Sequence, residues 1–584
     1  MIKIHIAKTA GFCMGVRRAV DIALALKRRR LPLPITTYGP LIHNPQTLKL
    51  LESRDISKTD SIDQINAGTV IIRAHGISPQ ECQQLESKQI NIVDATCPRV
   101  MRVQAFINKH SKKGDFCVIV GDEDHPEVRG LIGFATAGAI AISGPEMVRM
   151  LDKIPKGRAI CVVAQTTQEP EKFNRVVELL NERGHHLSVY NTICDSTRKR
   201  QAEVRELARN VDMVIVVGGK GSGNTRRLAK VAAEHGVRVC HVETADEISP
   251  DDLAGINRVG VTAGASTPNW QIRSVIERLK QIDLDTRSGI WAKFRHFIDI
   301  TIMTYLWAAL GGAGLTLVCT TLQGGSLGTD PALVTGLFVF SMHLLNRLQE
   351  RSGALRFNTP EIAAFYSRHG VILAAFGALS ALMAIILSYF LGLSSMLMVL
   401  GMIVTGILYP APIFTWIKIP GTKWVALKDI PGSKTPLVAL GWAMAAAIIP
   451  ALSLNVNYGI ASLIVSFVVA ASTVFWRTAL SDLIDIQGDR IGGRDTIPIL
   501  FGGRATEKIL NVLLILLSSL LFLSSMWAWS TTFGYVLLFN LLIFKFLFDF
   551  YKRGHLVDRL MFEGLIDGNF VLAGILSWIY TLLS

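Results

Sequence analysis

The stretch that decides the fold of the first half is Met213-Val214-Ile215-Val216-Val217, followed directly by Gly218-Gly219-Lys220-Gly221-Ser222-Gly223-Asn224-Thr225. A short apolar run of this kind is typical of a strand buried on both faces of a parallel sheet. The glycine-rich loop and a helix-like segment over 225–234 complete a strand–loop–helix unit. The same order recurs at 70–76 and at 118–127. These units predict an α/β fold with functional groups gathered at the carboxyl ends of parallel strands.

The distribution of charge divides the chain of 584 residues into two halves. Of the 60 basic and 46 acidic residues, 19 and 14 respectively follow residue 290. The first half is therefore as charged as a soluble enzyme, and the second half is less than half as densely charged. The longest basic run, Lys27-Arg28-Arg29-Arg30, is shorter than the blocks found in nucleic-acid-binding arms, so we expect no nucleic-acid partner.

The cysteines indicate a reducing compartment. Seven of the eight precede residue 290, and the strand-like alternation of the first six residues predicts no cleavable secretory signal. In the cytosol, spaced cysteines serve metal binding or catalysis more often than disulfides. We expect four of them to be small buried hydrophobic residues without chemistry, namely Cys82, Cys117, Cys161 and Cys240.

The other three cysteines of the first half lie in polar, turn-rich segments. Cys13 is in Ala10-Gly11-Phe12-Cys13-Met14-Gly15-Val16, Cys97 is in Asp94-Ala95-Thr96-Cys97-Pro98, and Cys194 is in 191–197. Short loop-like motifs elsewhere in this half carry His43, His75 and His125. Any one of these residues could be structural. Together, three thiolates and three imidazoles favour a metal centre with one open position that faces an anionic substrate.

The glycine-rich loop 218–225 has two interpretations. Backbone amides exposed by glycine, with Ser222, Asn224 and a helix N-terminus, would form a phosphate-binding loop. The loop lacks the Walker and Rossmann spacings, so an ordinary strand-to-helix turn is the favoured interpretation when the loop is considered alone. A second loop of the same style, Gly264-Ala265-Ser266-Thr267-Pro268, follows the strand-like run at 259–262.

These ordered motifs together resemble the 4-hydroxy-3-methylbut-2-enyl diphosphate (HMBPP) reductases, the IspH/LytB family of the non-mevalonate isoprenoid pathway. The resemblance covers residues 1–282 and implies three α/β subdomains around a central 4Fe–4S cluster. It implies that Cys13, Cys97 and Cys194 hold three irons, while the fourth iron binds the substrate hydroxyl. It also implies reduction to isopentenyl and dimethylallyl diphosphate with electrons from an external donor of the ferredoxin or flavodoxin type.

The resemblance also implies roles for other residues of the first half. Glu127 matches the proton-delivering glutamate, and Thr167 lies close to the substrate hydroxyl. The remaining matches form the diphosphate-binding set, which comprises His43, His75, Ser222, Asn224 and Ser266, with His125 beside them. Many members have a second serine where this chain has Gly223, and a backbone amide could replace it.

The second half is predicted to be an all-α bundle in a lipid bilayer. A linker at 283–297 is followed by nine apolar spans within 298–584, several of which reach the ~20 residues needed to cross a bilayer. The predicted spans are 298–321, 331–346, 370–391, 395–415, 436–454, 458–477, 509–527, 531–548 and 566–583.

Loop charge predicts the orientation of these spans. Connections near 322–330, 392–394, 455–457 and 528–530 contain no lysine or arginine, whereas the alternate connections are basic. By the positive-inside rule the basic loops are cytoplasmic, together with the amino-terminal domain. We therefore expect a multi-pass protein of the cell inner membrane.

One loop of the second half carries a possible metal site, Ser481-Asp482-Leu483-Ile484-Asp485-Ile486-Gln487-Gly488-Asp489-Arg490. Asp482, Asp485 and Asp489 recur at helical spacing, which places three carboxylates on one face near the membrane surface. Such a cluster suits Mg²⁺ bridged to a diphosphate, although a solvated helix end is the simpler alternative.

This segment, with the following Gly492-Gly493-Arg494-Asp495-Thr496-Ile497-Pro498, resembles the second aspartate-rich motif of UbiA-type intramembrane prenyltransferases. Tyr409 and the loop 428–434 also fit. The resemblance implies Mg²⁺-dependent ionisation of a prenyl diphosphate and transfer of the prenyl group to a lipophilic acceptor. The first family motif is incomplete, because Asn346 and Glu350 are present but position 354 is alanine.

Two interpretations of the fusion remain open at this stage. In the first, both halves are enzymes of isoprenoid metabolism, as the three aspartates favour. In the second, the back half is a non-catalytic membrane anchor or lipid-binding module, as Ala354 favours. A third class, an Fe–S electron-transfer protein without its own substrate, is disfavoured by Glu127 and the phosphate-binding set.

Overall fold

The computed structural model describes residues 2–26, 31–143, 150, 152, 154–155, 157–285, 290–326, 328–350, 358–411, 426–454, 459–552 and 559–584. The chain divides into two compact units, Met1–Thr286 and Arg287–Ser584. The basic run 27–30, Ala354, and much of the basic loop around 418–423 lie outside the described residues.

The first unit contains twelve strands in three four-stranded parallel sheets. The strands are β1 Lys3–Ile6, β2 Ile35–Tyr38, β3 Ile56–Thr59, β4 Thr69–Ile72, β5 Asn91–Asp94, β6 Phe116–Val120, β7 Ala139–Ile142, β8 Ile160–Ala164, β9 Leu187–Tyr190, β10 Met213–Val217, β11 Arg238–Val242 and β12 Arg258–Ala263. The sheet orders are β3-β2-β4-β5, β7-β6-β8-β9 and β11-β10-β12-β1. The predicted α/β class of this half is confirmed.

The three sheets repeat one plan. In the first two, the strand that comes first along the chain lies between the second and the third, and the fourth strand forms an edge. The third sheet follows the same plan with β10, β11 and β12, and β1 from the chain start occupies the fourth position. The first unit is therefore a threefold structural repeat closed by its own N-terminal strand, a feature that the sequence analysis did not detect.

Nine α-helices accompany these strands in the described residues, and five of them begin with proline. They are α1 Met14–Leu26, α2 Pro45–Glu52, α3 Pro79–Ser87, α4 Pro98–Ser111, α5 Pro126–Ile132, α6 Pro170–Glu182, α7 Asp195–Asn210, α8 Gly223–Ala233 and α9 Asn269–Asp285. Proline is favoured at the first helical position because its fixed φ suits the helix and its missing N–H would have no intrahelical partner. The residues just before these prolines therefore stand at well-defined helix N-termini.

The sheets are buried between these helices. All five residues of β6, β8 and β10 are buried, as the uninterrupted apolar runs predict for strands covered on both faces. Cys117 and Cys161 are directly opposite each other on β6 and β8 and have no exposed surface. These two cysteines are core residues, as the sequence predicts, whereas Cys82 and Cys240 are only half-buried.

The second unit is helical in its described residues. Its helices are α10 Ile290–Met303, α11 Leu306–Leu322, α12 Thr329–Glu350, α13 Pro360–Phe390, α14 Leu393–Leu408, α15 Lys434–Ala443, α16 Ile449–Ser453, α17 Gly459–Ile484, α18 Ile486–Gly492, α19 Ile497–Phe501, α20 Gly503–Met526, α21 Phe533–Lys552 and α22 Arg559–Leu583. A five-residue π-helix, Met444–Ile448, joins α15 to α16.

Within the described residues, seven helices are long and apolar enough to cross a membrane, or eight if the bent pair α10–α11 forms one span. The sixteen-residue helix α14 is apolar but shorter. A multi-pass helical membrane region is therefore supported, while the predicted total of nine spans stays a prediction. The surface of the bundle agrees with lipid contact, since Val371 is 86% exposed and Ile460 is 77% exposed.

Small residues bring two of these helices together. A Cβ atom on Gly574 of α22 would lie 2.4 Å from the Cα atom of Gly314 of α11. Lipid-embedded helices associate through such close approaches because lipid provides no hydrophobic driving force between them. Either glycine replaced by alanine would push α11 away from α22.

Candidate functional site

Each of the three sheets contributes one cysteine to the same cavity. Cys13 follows the edge strand β1, Cys97 follows the edge strand β5, and Cys194 follows the edge strand β9. Each cysteine immediately precedes a helix, α1, α4 or α7. All three line one cavity of about 110 Å³. Helix N-termini carry a partial positive charge that favours thiolates, so the repeat presents three equivalent ligand positions.

The other predicted residues of the first half follow the same threefold plan. Each repeat carries site residues after its first strand. These are His43 after β2, His125 and Glu127 after β6, and Ser222 and Asn224 after β10. Each repeat also carries site residues after its third strand. These are His75 after β4, Thr166 and Thr167 after β8, and Ser266 after β12. All of these residues line the cavity with the cysteines. The structure thus brings together every site residue that the sequence analysis named in this half.

The part of the cavity that Cys13, Cys97 and Cys194 line, called the cysteine wall below, is closely packed. A Cβ atom on Gly15 would lie 2.4 Å from the Cys97 Sγ, so only glycine leaves room for this sulfur. Burial raises the pKa of the Cys97 thiol, and the neighbouring Cys13 and Cys194 sulfurs raise it further. Three crowded thiolates would repel one another unless a cationic centre neutralised them. The donor set therefore fits an iron–sulfur cluster held by three cysteines.

A buried arginine supports this wall. Arg200 is 3% exposed and donates hydrogen bonds to the carbonyl oxygens of Gly11 (2.7 Å) and Ala263 (3.0 Å). It also interacts electrostatically with Cys13 and Cys194. Arg200 therefore ties the Cys13 loop to the end of β12 and places a positive charge beside two sulfurs. The sequence analysis did not single it out, because an arginine inside a charged helix gives no signal in the sequence alone.

Three histidines also line the cavity, and their rings lie close together. The ring centroids of His43 and His75 are 4.7 Å apart, those of His75 and His125 are 5.4 Å apart, and those of His43 and His125 are 5.8 Å apart. Burial lowers the pKa of each ring, well below the usual value for His75 and to about 4 for His125. The three imidazoles are therefore neutral near pH 7 and can each donate one N–H.

Several polar atoms around these rings are buried without a hydrogen-bond partner among the described residues. They are the Nε2 of His43, the Nδ1 of His75 and the Nδ2 of Asn224. A buried polar group that lacks a partner costs free energy, and unfilled ligand positions are a common reason for such groups. Because all three belong to residues that line the cavity, a polar ligand with several acceptor oxygens suits it.

Glu127 is the carboxylic acid of the cavity. It is 2% exposed, and its two oxygens accept hydrogen bonds from the backbone N (2.7 Å) and the Oγ1 (2.9 Å) of Thr166. Burial raises its pKa to about 7, although the hydrogen bonds from Thr166 oppose this shift. The Nδ1 of His125 accepts from the Glu127 backbone N at 3.1 Å, which fixes the start of α5.

The threonine in contact with Glu127 is Thr166, which the sequence analysis did not name. The predicted Thr167 also lines the cavity, but its Oγ1 accepts a hydrogen bond from the Nε2 of Gln165 at 3.2 Å. The two hydroxyls follow each other along the chain, so no sequence pattern distinguishes the one that faces the carboxyl group.

In the second unit the three predicted aspartates lie at the end of α17 and in α18. Each of them contacts or lies near a basic side chain. Asp482 accepts from the Lys434 Nζ at 2.8 Å and from the Thr435 Oγ1 at 2.7 Å. Asp485 pairs with Arg559 at 2.6 Å, and Asp489 lies 3.8 Å from Arg494.

The environment of Asp489 differs between its two carboxylate oxygens. It is 1% exposed, its Oδ1 accepts from the Asn358 Nδ2 at 3.0 Å, and its Oδ2 has no partner among the described residues. Burial, together with the charges of Asp482 and Asp485, raises its pKa to about 7, although Lys434 and Arg494 oppose the shift. A divalent cation would relieve this repulsion, so Asp489 fits a Mg²⁺ ligand.

The first motif is only partly described. Asn346 is half-buried on α12, Glu350 is the last residue of that helix, and Ala354 lies outside the described residues. The sequence analysis missed Asn358, the amide that contacts Asp489. Asn358 lies four positions beyond Ala354, and this spacing was the available signal.

Comparison with known proteins agrees with this division. The family model of the LytB protein matches residues 4–280, and that of the UbiA prenyltransferase family matches residues 367–562. The 4-hydroxy-3-methylbut-2-enyl diphosphate reductase of Pelobacter propionicus is 44% identical over 282 residues, which are 48% of this chain and 99% of that protein. The Geobacter sulfurreducens reductase is 43% identical over 283 residues, covering 48% and 98%.

A fold made of three sheets around three cysteines thus defines the first unit, and a helical membrane bundle defines the second. The chain belongs to the 4-hydroxy-3-methylbut-2-enyl diphosphate reductase family, and its second half is similar to the UbiA prenyltransferases. The second half is also similar to the solved structure of a UbiA homologue from Archaeoglobus fulgidus bound to GPP and Mg²⁺. The match includes 48% of this chain and 99% of that chain, with 17% sequence identity and a TM-score of 0.36.

Proposed function

We propose that the first unit reduces HMBPP to isopentenyl and dimethylallyl diphosphate. The reaction removes the allylic hydroxyl as water and consumes two electrons and two protons. The observation that carries this proposal is the convergence of three cysteines, three neutral histidines and one raised-pKa carboxyl group on one cavity. A 4Fe–4S cluster on Cys13, Cys97 and Cys194 would supply the electrons and a Lewis-acidic iron.

The histidines, with Ser222, Asn224 and Ser266, would hold the diphosphate. Hydroxyl, amide and imidazole N–H groups donate to phosphoryl oxygens, and the open atoms of His43, His75 and Asn224 match this need. Ser222 caps α8, so the helix N-terminus adds its partial positive charge. Neutral hydrogen-bond donors are enough to hold the negatively charged diphosphate, because several helix N-termini direct their partial positive charge into the same cavity.

Glu127 would supply protons to the substrate. With a pKa near 7, the carboxyl group is partly protonated at neutral pH, as a general acid requires. The Thr166 hydroxyl lies 2.9 Å from the Glu127 Oε2 and lines the cavity. A proton on Oε2 can therefore pass to the Thr166 Oγ1 while that hydroxyl donates its own proton into the cavity.

The test is an assay of the full-length protein, purified without oxygen and supplied with HMBPP and reduced methyl viologen. We expect release of both C5 diphosphates and loss of turnover in air, because the site leaves one metal position open. Protein that contains iron but does not turn over HMBPP would support an electron-transfer role instead.

For the second unit we propose Mg²⁺-dependent transfer of a prenyl group from a prenyl diphosphate to a lipophilic acceptor in the cell inner membrane. Support comes from the match to the UbiA prenyltransferase family and from the open oxygen of Asp489. The basic loops predict that this site and the first unit face the cytoplasm.

The alternative function is a non-catalytic membrane anchor. It is favoured by Ala354 and by the ion pairs that already occupy Asp482 and Asp485. A lipid profile of the host that carries Asp489→Asn separates the two functions, and Asp549→Asn on α21 serves as the matched control. Disappearance of one prenylated lipid supports transfer, and an unchanged profile with the protein still in the membrane supports the anchor.

A further inference from the structure

Each of the three cysteine segments carries two basic residues within the five positions after its cysteine. Six of the fifteen positions 14–18, 98–102 and 195–199 are basic, compared with about one in seven over the first 290 residues. All six side chains are exposed. We call these residues the basic rim, which consists of Arg17, Arg18, Arg99, Arg102, Arg198 and Lys199. The threefold plan of the first unit therefore places two exposed cations beside each ligand position of the cysteine wall.

Contacts between the three helix starts bring these cations to one surface. The Arg18 Nη1 of α1 donates to the carbonyl oxygen of Thr96, just before α4, at 2.9 Å. The Arg99 Nη2 of α4 lies 3.3 Å from the Asp195 Oδ2 of α7, and Asp195 also pairs with Arg198. Asp195 is the one carboxylate in the fifteen positions, so the surface keeps a clear excess of positive charge.

The same segments have the composition of a protein interface. Among the described residues of the first unit, four large apolar side chains are exposed, and two of them are Met14 (63% exposed) and Met101 (44% exposed). Interfaces between proteins are enriched in arginine and methionine and depleted in lysine. Because five of the six rim cations are arginines, this surface fits a protein partner better than a layer of lipid headgroups.

The proposed reduction determines the kind of partner. Each HMBPP that loses its hydroxyl as water consumes two electrons, so a reduced carrier must bring them close to the cysteine wall. A protein surface with a positive potential selects partners with a negative one, and this complementarity also accelerates their encounter. The carrier that fits is therefore an acidic protein.

We propose that the basic rim is the docking surface for an acidic electron-carrier protein, which delivers electrons beside the cysteine wall. This inference rests on the proposed HMBPP reduction. In each turnover two reduced one-electron carriers dock in succession, each gives up one electron, and both leave oxidised. The two electrons and two protons convert one HMBPP into one C5 diphosphate and water.

The test measures binding of an acidic plant-type 2Fe–2S ferredoxin to the full-length protein, purified without oxygen in phosphatidylcholine nanodiscs. The rim variant is Arg102→Glu with Lys199→Glu, which reverses one charge on α4 and one on α7. The matched control is Lys109→Glu with Arg209→Glu, which reverses two exposed cations near the other ends of the same two helices. HMBPP turnover is measured in parallel with reduced ferredoxin and with reduced methyl viologen, a small reductant that needs no docking surface.

We expect the rim variant to weaken ferredoxin binding about tenfold at low ionic strength, because two attractive surface contacts become repulsive. The difference should shrink at high ionic strength, since salt screens exposed charges. The control should bind ferredoxin within about twofold of the parent. Turnover with methyl viologen should be no lower in either variant than in the parent, which shows that the fold and the cavity are intact.

Three results overturn the inference in distinguishable ways. If the parent turns over HMBPP with methyl viologen, but the rim variant and the control bind ferredoxin equally well, the docking surface is wrong while the reduction stands. If the parent does not turn over HMBPP with methyl viologen, the reduction fails and the docking inference falls with it. Sedimentation with phosphatidylglycerol vesicles that requires Arg102 and Lys199, without ferredoxin binding, assigns the basic rim to anionic lipid instead.

Discussion

The two units each contain a buried polar site, and the two sites are built from opposite kinds of groups. The cavity of the first unit contains neutral imidazoles, hydroxyls and one carboxyl group whose pKa is raised to about 7. The aspartate site of the second unit contains full charges paired with each other, such as Asp482 with Lys434 and Asp485 with Arg559.

The difference follows from what each backbone can offer. Loops at the ends of parallel strands expose helix N-termini, so backbone N–H groups and dipoles face the substrate. A membrane helix uses its backbone groups internally, so side chains must supply all the charge. Buried charges then need partners, because desolvation of an unpaired ion costs several kcal/mol.

The largest effect is expected at the cysteine wall. Cys97→Ser should abolish HMBPP reduction and lower the iron content, because the wall loses one of three ligands. Cys82→Ser is the control, since Cys82 lies on α3 outside the cavity. Iron analysis and turnover without oxygen provide the measurement. Equal iron content in the two variants would remove Cys97 from the ligand set.

Replacement of the carboxyl group should leave binding intact and impair proton transfer. Glu127→Gln should lower kcat by about 10²–10⁴-fold with little change in KM, the usual range for a general acid. The parent rate should fall as the pH rises through about 7, because the protonated fraction of Glu127 falls there. Glu123→Gln, at an exposed position, should keep the parent pH profile. Retention of that profile by Glu127→Gln would assign the proton to another group.

In the membrane unit, breaking one buried ion pair should mainly reduce stability. Arg477 and Asp567 form two hydrogen bonds of 2.5 and 2.9 Å, and Asp567 is 4% exposed. Asp567→Asn leaves the Arg477 charge unpaired, so we expect a loss of about 3–5 kcal/mol in unfolding free energy. The double variant Arg477→Met with Asp567→Leu should recover much of it. Thermal unfolding in detergent measures both, and equal stability of the single variant and the parent would contradict the pairing argument.

The smallest effect concerns the neutral donors. His75→Phe should raise the KM for HMBPP by about tenfold and leave kcat within twofold, because one hydrogen bond to a charged phosphate is lost. The rise should persist at high salt, since the ring is neutral near pH 7 and salt screens exposed charges far more than buried neutral donors. A salt-dependent KM difference between parent and variant would indicate a charged histidine. Steady-state kinetics at two ionic strengths distinguish these results.

The sequence predicted the α/β class, the membrane half and the residues around the first cavity, because these depend on local patterns. Apolar runs such as 213–217 determine buried strands, and loops such as 218–225 follow them directly. The threefold repeat was not visible, since its copies share strand order rather than sequence. Arg200, Thr166 and Asn358 were missed because their partners are distant in the chain.

By itself, the sequence determined which residues could do chemistry: cysteines beside helix starts, histidines in strand-end loops, and aspartates at helical spacing. Only the tertiary structure decided which of them meet. The three edge strands bring Cys13, Cys97 and Cys194 to one wall, and the start of α22 brings Arg559 to Asp485, which directly precedes α18. The physical reason is that local patterns fix strands and helices, whereas side-chain partners follow from how those elements pack.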